Sequence, residues 1–114
     1  MDNYIYAWLY DIKTSIEEIE SYFPTGKVFQ HYHEDLKTKR AVERNIEIIG
    51  EAMSRILKIE PQIAISNSRK IVDARNKIIH GYDAISDDVI WGIVVNNLPI
   101  LKSEVEILLP LNED

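Results

Sequence analysis

Between positions 75 and 82 the chain reads Arg75-Asn76-Lys77-Ile78-Ile79-His80-Gly81-Tyr82, and its arginine and histidine are suited to chemistry on a phosphate ester. A guanidinium stays charged at any accessible pH and presents a planar fork of donors that fits phosphate oxygens. An imidazole gains or loses its proton near neutral pH, so it can serve as a general base or acid. A phosphate clamp beside a proton carrier is what this pattern offers.

The spacing constrains how the two groups can meet. Five residues along an ideal α-helix turn through about 140° and rise about 7.5 Å, so Arg75 and His80 do not share a face, whereas Asn76 and His80 do. Three arrangements can bring Arg75 and His80 to one substrate. The arginine can reach around on its long stem, the last helical turn can unwind at Gly81, or a second copy of the chain can supply one group across a two-fold axis. The same residues also suit an ordinary helix ending, because cations are favoured at the negative end of the helix dipole and His-Gly is a common terminus. Spacing alone does not separate these readings.

Other candidates are weaker. His31-Tyr32-His33 invites a metal reading, but two residues apart the imidazoles lie on opposite faces of a strand and about 200° apart on a helix. No metal site is expected. Glu43, Glu47 and Glu51 form a ladder at four-residue steps, yet Arg40, Arg44 and Arg55 share that segment, and pairing within and between helices explains the carboxylates better than a metal does. Tyr4, Tyr6, Trp8 and Tyr10 crowd the amino terminus. Alternating aromatics spread around a helix, so Trp8 is expected to pack while some tyrosines meet solvent or a partner.

The elements that must position these groups are helical almost throughout. Ile5, Leu9, Ile12, Ile16, Ile19 and Phe23 recur at alternating steps of 4 and 3, one apolar stripe on a helix from about residue 3 to 22 that Pro24-Thr25-Gly26 stops. Val42, Ile46, Ile49, Met53 and Ile56 repeat the pattern on a helix from about Asp35 to Ile59, ended by Pro61. Ala41, Ile48 and Ala52 widen its apolar surface, so it should contact more than one neighbour. Ser66-Asn67-Ser68 supplies caps for a third helix carrying Ile71, Val72, Ala74, Ile78 and Ile79, with Gly81 as the left-handed residue that closes it. Ser86 can cap a fourth, with Asp87 and Asp88 complementing the dipole and Ile90, Val94, Leu98, Leu101, Val105 and Leu108 facing inward. Pro99 should kink that helix without ending it, since the apolar period continues beyond. The expected fold is all-α, an antiparallel bundle of four main helices, five if residues 26 to 35 add a turn.

Composition sets the outer bounds. A chain of 114 residues suits one domain, short enough to gain stability from a partner subunit. The absence of cysteine removes disulfides and thiolate metal sites. No apolar run approaches the ~20 residues of a membrane helix, and the amino terminus is not a basic signal region, so a cytoplasmic protein is expected. The net charge of −6 argues against a nucleic-acid coat protein. Its distribution is uneven, for ten of the thirteen cations fall in residues 37 to 77. That middle is either an electropositive surface between acidic ends or a solvated helix face whose charges pair along it.

Three stretches together resemble one family. The pattern Arg75-Asn76-x-x-x-His80-Gly81-Tyr82 resembles the signature of the HepT-like toxins of the HEPN superfamily. The stretch Ala41-Val42-Glu43-Arg44-Asn45-Ile46-Glu47-Ile48-Ile49-Gly50-Glu51-Ala52 is similar to their second helix, and Trp91 followed by Asn97-Leu98-Pro99 to their last. The resemblance implies a homodimeric helical bundle spanning residues 1–114, acting as a metal-independent endoribonuclease without a cofactor. His80 would be the general base toward a ribose 2′-hydroxyl, and Arg75 would stabilise charge on the phosphate. Asn76 would orient His80, and Arg44 with Glu47 would buttress the site. Tyr82 would be the tyrosine that a cognate nucleotidyltransferase antitoxin adenylylates. Two other classes stay open: a non-catalytic helical interaction subunit, and a nucleotide-binding accessory domain of a nucleotidyltransferase.

Overall fold

The first apolar stripe forms helix α1 (Asn3–Ser21) in the computed structural model, which describes residues 2–81 and 85–110. The Asp2 carboxylate accepts from the Tyr4 backbone N–H at 2.7 Å and satisfies one of the donors a helix start leaves open. Ile5, Leu9, Ile12, Ile16 and Ile19 are buried, and Phe23 continues the stripe past the helix end. Each fully buried isoleucine contributes on the order of 1.5–3 kcal/mol by leaving water.

A short helix, α2 (Phe29–His33), occupies the segment where an extra turn was expected. Its Tyr32 is fully buried, with its ring 5.3 Å from Trp91, which also meets Phe23 at 5.2 Å and Phe29 at 6.1 Å. The aromatic core is therefore assembled from positions 23, 29, 32 and 91. At the amino terminus Trp8 is half-buried and stacks on an exposed Tyr4. The Tyr32 hydroxyl is buried without a hydrogen-bond partner. Desolvation, followed by the charges of Asp87 and Glu43, holds its pKa well above the usual phenol range.

Helix α3 (Leu36–Ile59) is the spine of the fold. Asp35 caps it, accepting from the Lys37 and Thr38 N–H groups at 3.1 and 3.3 Å. Val42, Ile46, Ile49, Met53 and Ile56 are buried, and the helix packs on α1, on α2 and on the next helix, α4 (Ser68–His80), as its broad apolar face requires. Asn45 is buried on it and donates to the Tyr22 hydroxyl at 3.0 Å and to the Ala41 carbonyl at 3.1 Å.

The start of α4 departs from expectation. Asn67 precedes the helix in a left-handed conformation, φ 57°, and its side chain makes no capping bond. Ser66 is engaged elsewhere, its N–H and hydroxyl bonding the Glu104 carboxylate at 2.9 and 3.1 Å. The Ser66-Asn67-Ser68 run is thus a turn tied to a distant helix, and not the side-chain cap anticipated. The end of α4 is as read: Gly81 has φ 64° and its N–H bonds the Lys77 carbonyl at 3.1 Å.

The carboxy-terminal helical run is continuous but not uniform. Helix α5 (Asp87–Gly92) is capped by Ser86 and passes through a π turn, Ile93–Asn97, into α6 (Leu98–Leu108). The N–H of Leu98 reaches the carbonyl of Ile93, five residues back. Pro99 lies in the first turn of α6, directly after the π turn, and has no N–H to donate to the turn before it. The helix accommodates its proline with one widened turn ahead of it. Asp87 also ties this run to the rest, lying 2.9 Å from Lys39 Nζ and 2.7 Å from His33 Nδ1.

The described residues form an all-α bundle without strands. No helix among them is long and apolar enough to cross a membrane.

Candidate functional site

The site begins where α4 lies against α3. A Cβ built on Gly50 would overlap the Cβ of Arg75, stand 2.8 Å from its Cγ and lie 3.2 Å from the Ile71 carbonyl. Glycine at this point is a matter of space: it lets the arginine stem lie directly on the α3 backbone. The next residue of α3 holds the head. Glu51 Oε2 is 2.5 Å from Arg75 Nη2, and Arg75 Nη1 donates to Asn76 Oδ1 at 3.1 Å. Arg75 Nε is buried and has no hydrogen-bond partner.

Of the five N–H groups on that guanidinium, two are thus committed to Glu51 and Asn76 and one is buried. Each terminal nitrogen keeps one more, and a pair of donors in that fork suits two oxygens of a phosphate. The Arg75 and Glu51 side chains are 27% and 40% exposed, so their ion pair adds at most about 1 kcal/mol to stability. Its larger effect is to fix where the guanidinium points.

Arg75 opens onto a cleft of about 260 Å³ between α1, α3 and α4. Helix α3 contributes Arg44, Glu47, Glu51 and Arg55 to its walls, with Ile48 and Ala52 as apolar floor; α4 adds Arg75 and Ile79, and α1 adds Trp8 and Asp11. Arg44 Nη1 pairs with Glu47 Oε2 at 3.3 Å, and Arg55 Nε with Glu51 Oε1 at 3.1 Å. Arg40 is likewise 3.2 Å from Glu43. The basic middle of the sequence is therefore, on α3, a set of arginines each paired with a glutamate of the same helix.

Five of the six site residues read from the sequence can be placed. Arg75, Arg44 and Glu47 line one cleft, and Asn76 adjoins it through Arg75. His80 sits in the exposed last turn of α4 and does not line that cleft, in keeping with the angular mismatch between it and Arg75. Asn76 accepts from Arg75 with its carboxamide oxygen. Tyr82 lies outside the described residues. His33, one half of the weak metal reading, stacks on Phe29 and pairs with Asp87.

Sequence reasoning did not single out Gly50 or Glu51 for the site. The available signal was a glycine inside an otherwise apolar helical period, which commonly marks close approach of another backbone or stem. Trp8 and Asp11 carried no such signal, because only the packing of α1 on α3 brings them there.

The sequence profile described as Ribonuclease HepT-like matches residues 12–108. Over 104 residues the chain is 34% identical to "Putative RNase MJ0127" of Methanocaldococcus jannaschii, covering 88% of this chain and 83% of that protein. Over 103 residues it is 36% identical to "Probable ribonuclease HepT" of Thermococcus cleftensis, covering 87% and 90%. No solved structure gives a significant match.

Proposed function

Because the chain belongs to the HepT-like ribonuclease family, we propose that residues 1–114 form one domain that cuts RNA in the cytoplasm as the toxin of a toxin–antitoxin pair. The observation that carries this reading is the presentation of Arg75, held from two sides at the mouth of a cleft with donors to spare. His80 removes the proton from a ribose 2′-hydroxyl, the oxygen forms a bond to the adjacent phosphorus, and the bond from phosphorus to the 5′ oxygen breaks. The 5′ oxygen leaves with a proton as a hydroxyl, and the upstream fragment keeps a 2′,3′-cyclic phosphate. Arg75 meets the charge that grows on the phosphate oxygens in the transition state.

The reaction proceeds without a metal ion. Of the carboxylates in the Arg75 cleft, those of Glu47 and Glu51 are each taken up by arginine, and guanidinium groups supply the positive charge. His80 stands off the Arg75 cleft. A homodimer resolves this by setting Arg75 of one copy against His80 of the other across a two-fold axis. A cognate nucleotidyltransferase antitoxin silences the enzyme by placing AMP on Tyr82.

The test is cleavage of RNA by the purified protein in the presence of EDTA, with fragment ends identified by mass spectrometry. Cyclic phosphate ends, lost in Arg75→Ala and His80→Ala of unchanged helicity, are expected. Activity that disappears with the chelator, or that survives both substitutions, would overturn the mechanism.

A further inference from the structure

The chain has two tryptophans, and they are used differently. Trp91 belongs to the aromatic core with Phe23, Phe29 and Tyr32. Trp8 is half-buried in the wall of the Arg75 cleft, backed by Tyr4 at a ring distance of 6.1 Å and an interplanar angle of 28°. Asp11, one turn further along α1, lines the same cleft on the same helix face.

We propose that this cleft is a nucleobase subsite, in which a base stacks on the Trp8 indole while Asp11 accepts from the base's exocyclic amine. The inference rests on the reading of Arg75 as a phosphate clamp, and it adds where the neighbouring base goes and which bases fit. Size favours one base. At about 260 Å³ the cleft falls below the roughly 300–1,000 Å³ that encloses a drug-sized ligand. Ile48, Ala52 and Ile79 line it with apolar surface, as a flat ring requires.

Charge points the same way. Glu47 is taken by Arg44, and Glu51 by Arg55 and Arg75, whereas Asp11 has no hydrogen-bond or ion-pair partner among the described residues. It is the cleft carboxylate left to accept from a ligand, so adenine, cytosine and guanine, which carry an amine, are favoured over uracil. Arg44 and Arg55 remain 70% and 55% exposed at the rim, where they can follow the phosphates of a single strand. An aromatic platform among cations is the usual surface for single-stranded nucleic acid.

The subsite is tested by calorimetric binding of adenosine 5′-monophosphate and of ribose 5-phosphate, which lacks the base. The native protein should prefer the nucleotide by roughly ten-fold or more. Trp8→Leu, which keeps an apolar side chain without a π face, should close most of that gap, and Trp8→Phe should preserve it. Asp11→Ala should narrow the preference for adenosine over uridine monophosphate. Equal binding of nucleotide and sugar phosphate by the native protein, no detectable nucleotide binding, or an unchanged gap in Trp8→Leu would overturn the proposal. RNA cleavage that needs Arg75 but shows no Trp8-dependent base preference removes the subsite and leaves the ribonuclease. A Trp8-dependent preference in a protein that does not cleave RNA supports the subsite and removes the ribonuclease.

Discussion

Gly50 and Arg75 meet across the α3–α4 seam so closely that a methyl group on residue 50 would occupy the space of the arginine's own Cβ. Stem and head of the arginine are governed by consecutive residues of α3, because Gly50 receives the stem and Glu51 binds the guanidinium. A long side chain with about 2 kcal/mol of rotamer entropy is thereby held at one place on the cleft. Orientation of a catalytic cation before substrate arrives is what electrostatic stabilisation of a transition state requires.

Gly50→Ala separates space from propensity. Alanine favours the helix by up to about 1 kcal/mol over glycine, but its Cβ meets the root of Arg75 and a backbone carbonyl, neither of which can swing aside. Overpacking of this kind costs about 1–3 kcal/mol. The variant is expected to unfold at lower urea concentration than the parent and to cleave RNA more slowly. A variant as stable as the parent would mean that α4 shifts without penalty.

Glu51 can be tested apart from stability. Glu51→Gln keeps an oxygen that accepts from Arg75 and should retain much of the activity. Glu51→Ala releases the guanidinium, and misplacement by about 1 Å can cost on the order of 100-fold in rate. The loss is expected in kcat, with KM little changed. Equal kcat in parent, Gln and Ala proteins would show that Arg75 needs no support from α3.

The bundle was legible because its stripes are local. Ile5 to Phe23 and Val42 to Ile56 follow the helical period, and each of these residues is buried; Gly81 and Ser86 mark their helix ends by chemistry that acts within a few residues. Most of what escaped depends on contacts distant in sequence. Ser66 serves Glu104, 38 residues away, and leaves α4 without the expected cap. Tyr32 finds Trp91 across the fold, and Glu51 finds Arg75 on another helix. The π turn of Ile93–Asn97 escaped for a local reason: Pro99 announces a lost hydrogen bond but not which turn absorbs it. At the site, Arg75 and His80 were visible as residue types, whereas the roles of Arg44, Glu47 and Tyr82 came from resemblance to a family.

Mixing two inactive proteins tests the shared site. If Arg75 of one chain works with His80 of its partner, a dimer of Arg75→Ala with His80→Ala contains one intact site and one doubly damaged site. Random exchange of subunits should then restore about a quarter of the parent's cleavage. Sites confined to single chains would restore none. Light scattering on the same samples must report a dimer, and a monomer at micromolar concentration would refute the arrangement.

Asp87 gives the acid limb of stability a specific source. The Lys39 hydrogen bond, assisted by His33, holds its carboxyl below the ordinary value of 3.8. A depressed folded-state pKa contributes stability above the unfolded value and loses it as pH falls through the folded one. The Asp87→Asn protein should therefore be less stable than the parent at neutral pH, and the difference should shrink below about pH 4. Chemical denaturation at several pH values checks this, and a difference independent of pH would show that the ionised carboxylate is not its source.

Tyr82 is separated from His80 only by Gly81, which turns the chain through a left-handed conformation at the end of α4. A nucleotidyl group on that tyrosine would carry a phosphodiester next to the site where substrate RNA must place its own. Two like charges about 6 Å apart repel by roughly 2–3 kcal/mol at an effective dielectric of about 20, and salt reduces the figure. The bulk of the nucleotide adds obstruction to repulsion. Adenylylation should thus stop cleavage while the far-ultraviolet circular dichroism of the bundle stays the same. Tyr82→Phe lacks the acceptor oxygen, so it should cleave RNA as the parent does and escape silencing when the cognate nucleotidyltransferase is co-expressed. Intact-mass measurement should find one AMP on the parent and none on the variant. If Tyr82→Phe is silenced along with the parent, or peptide mapping places the nucleotide on another residue, Tyr82 is not the regulatory site.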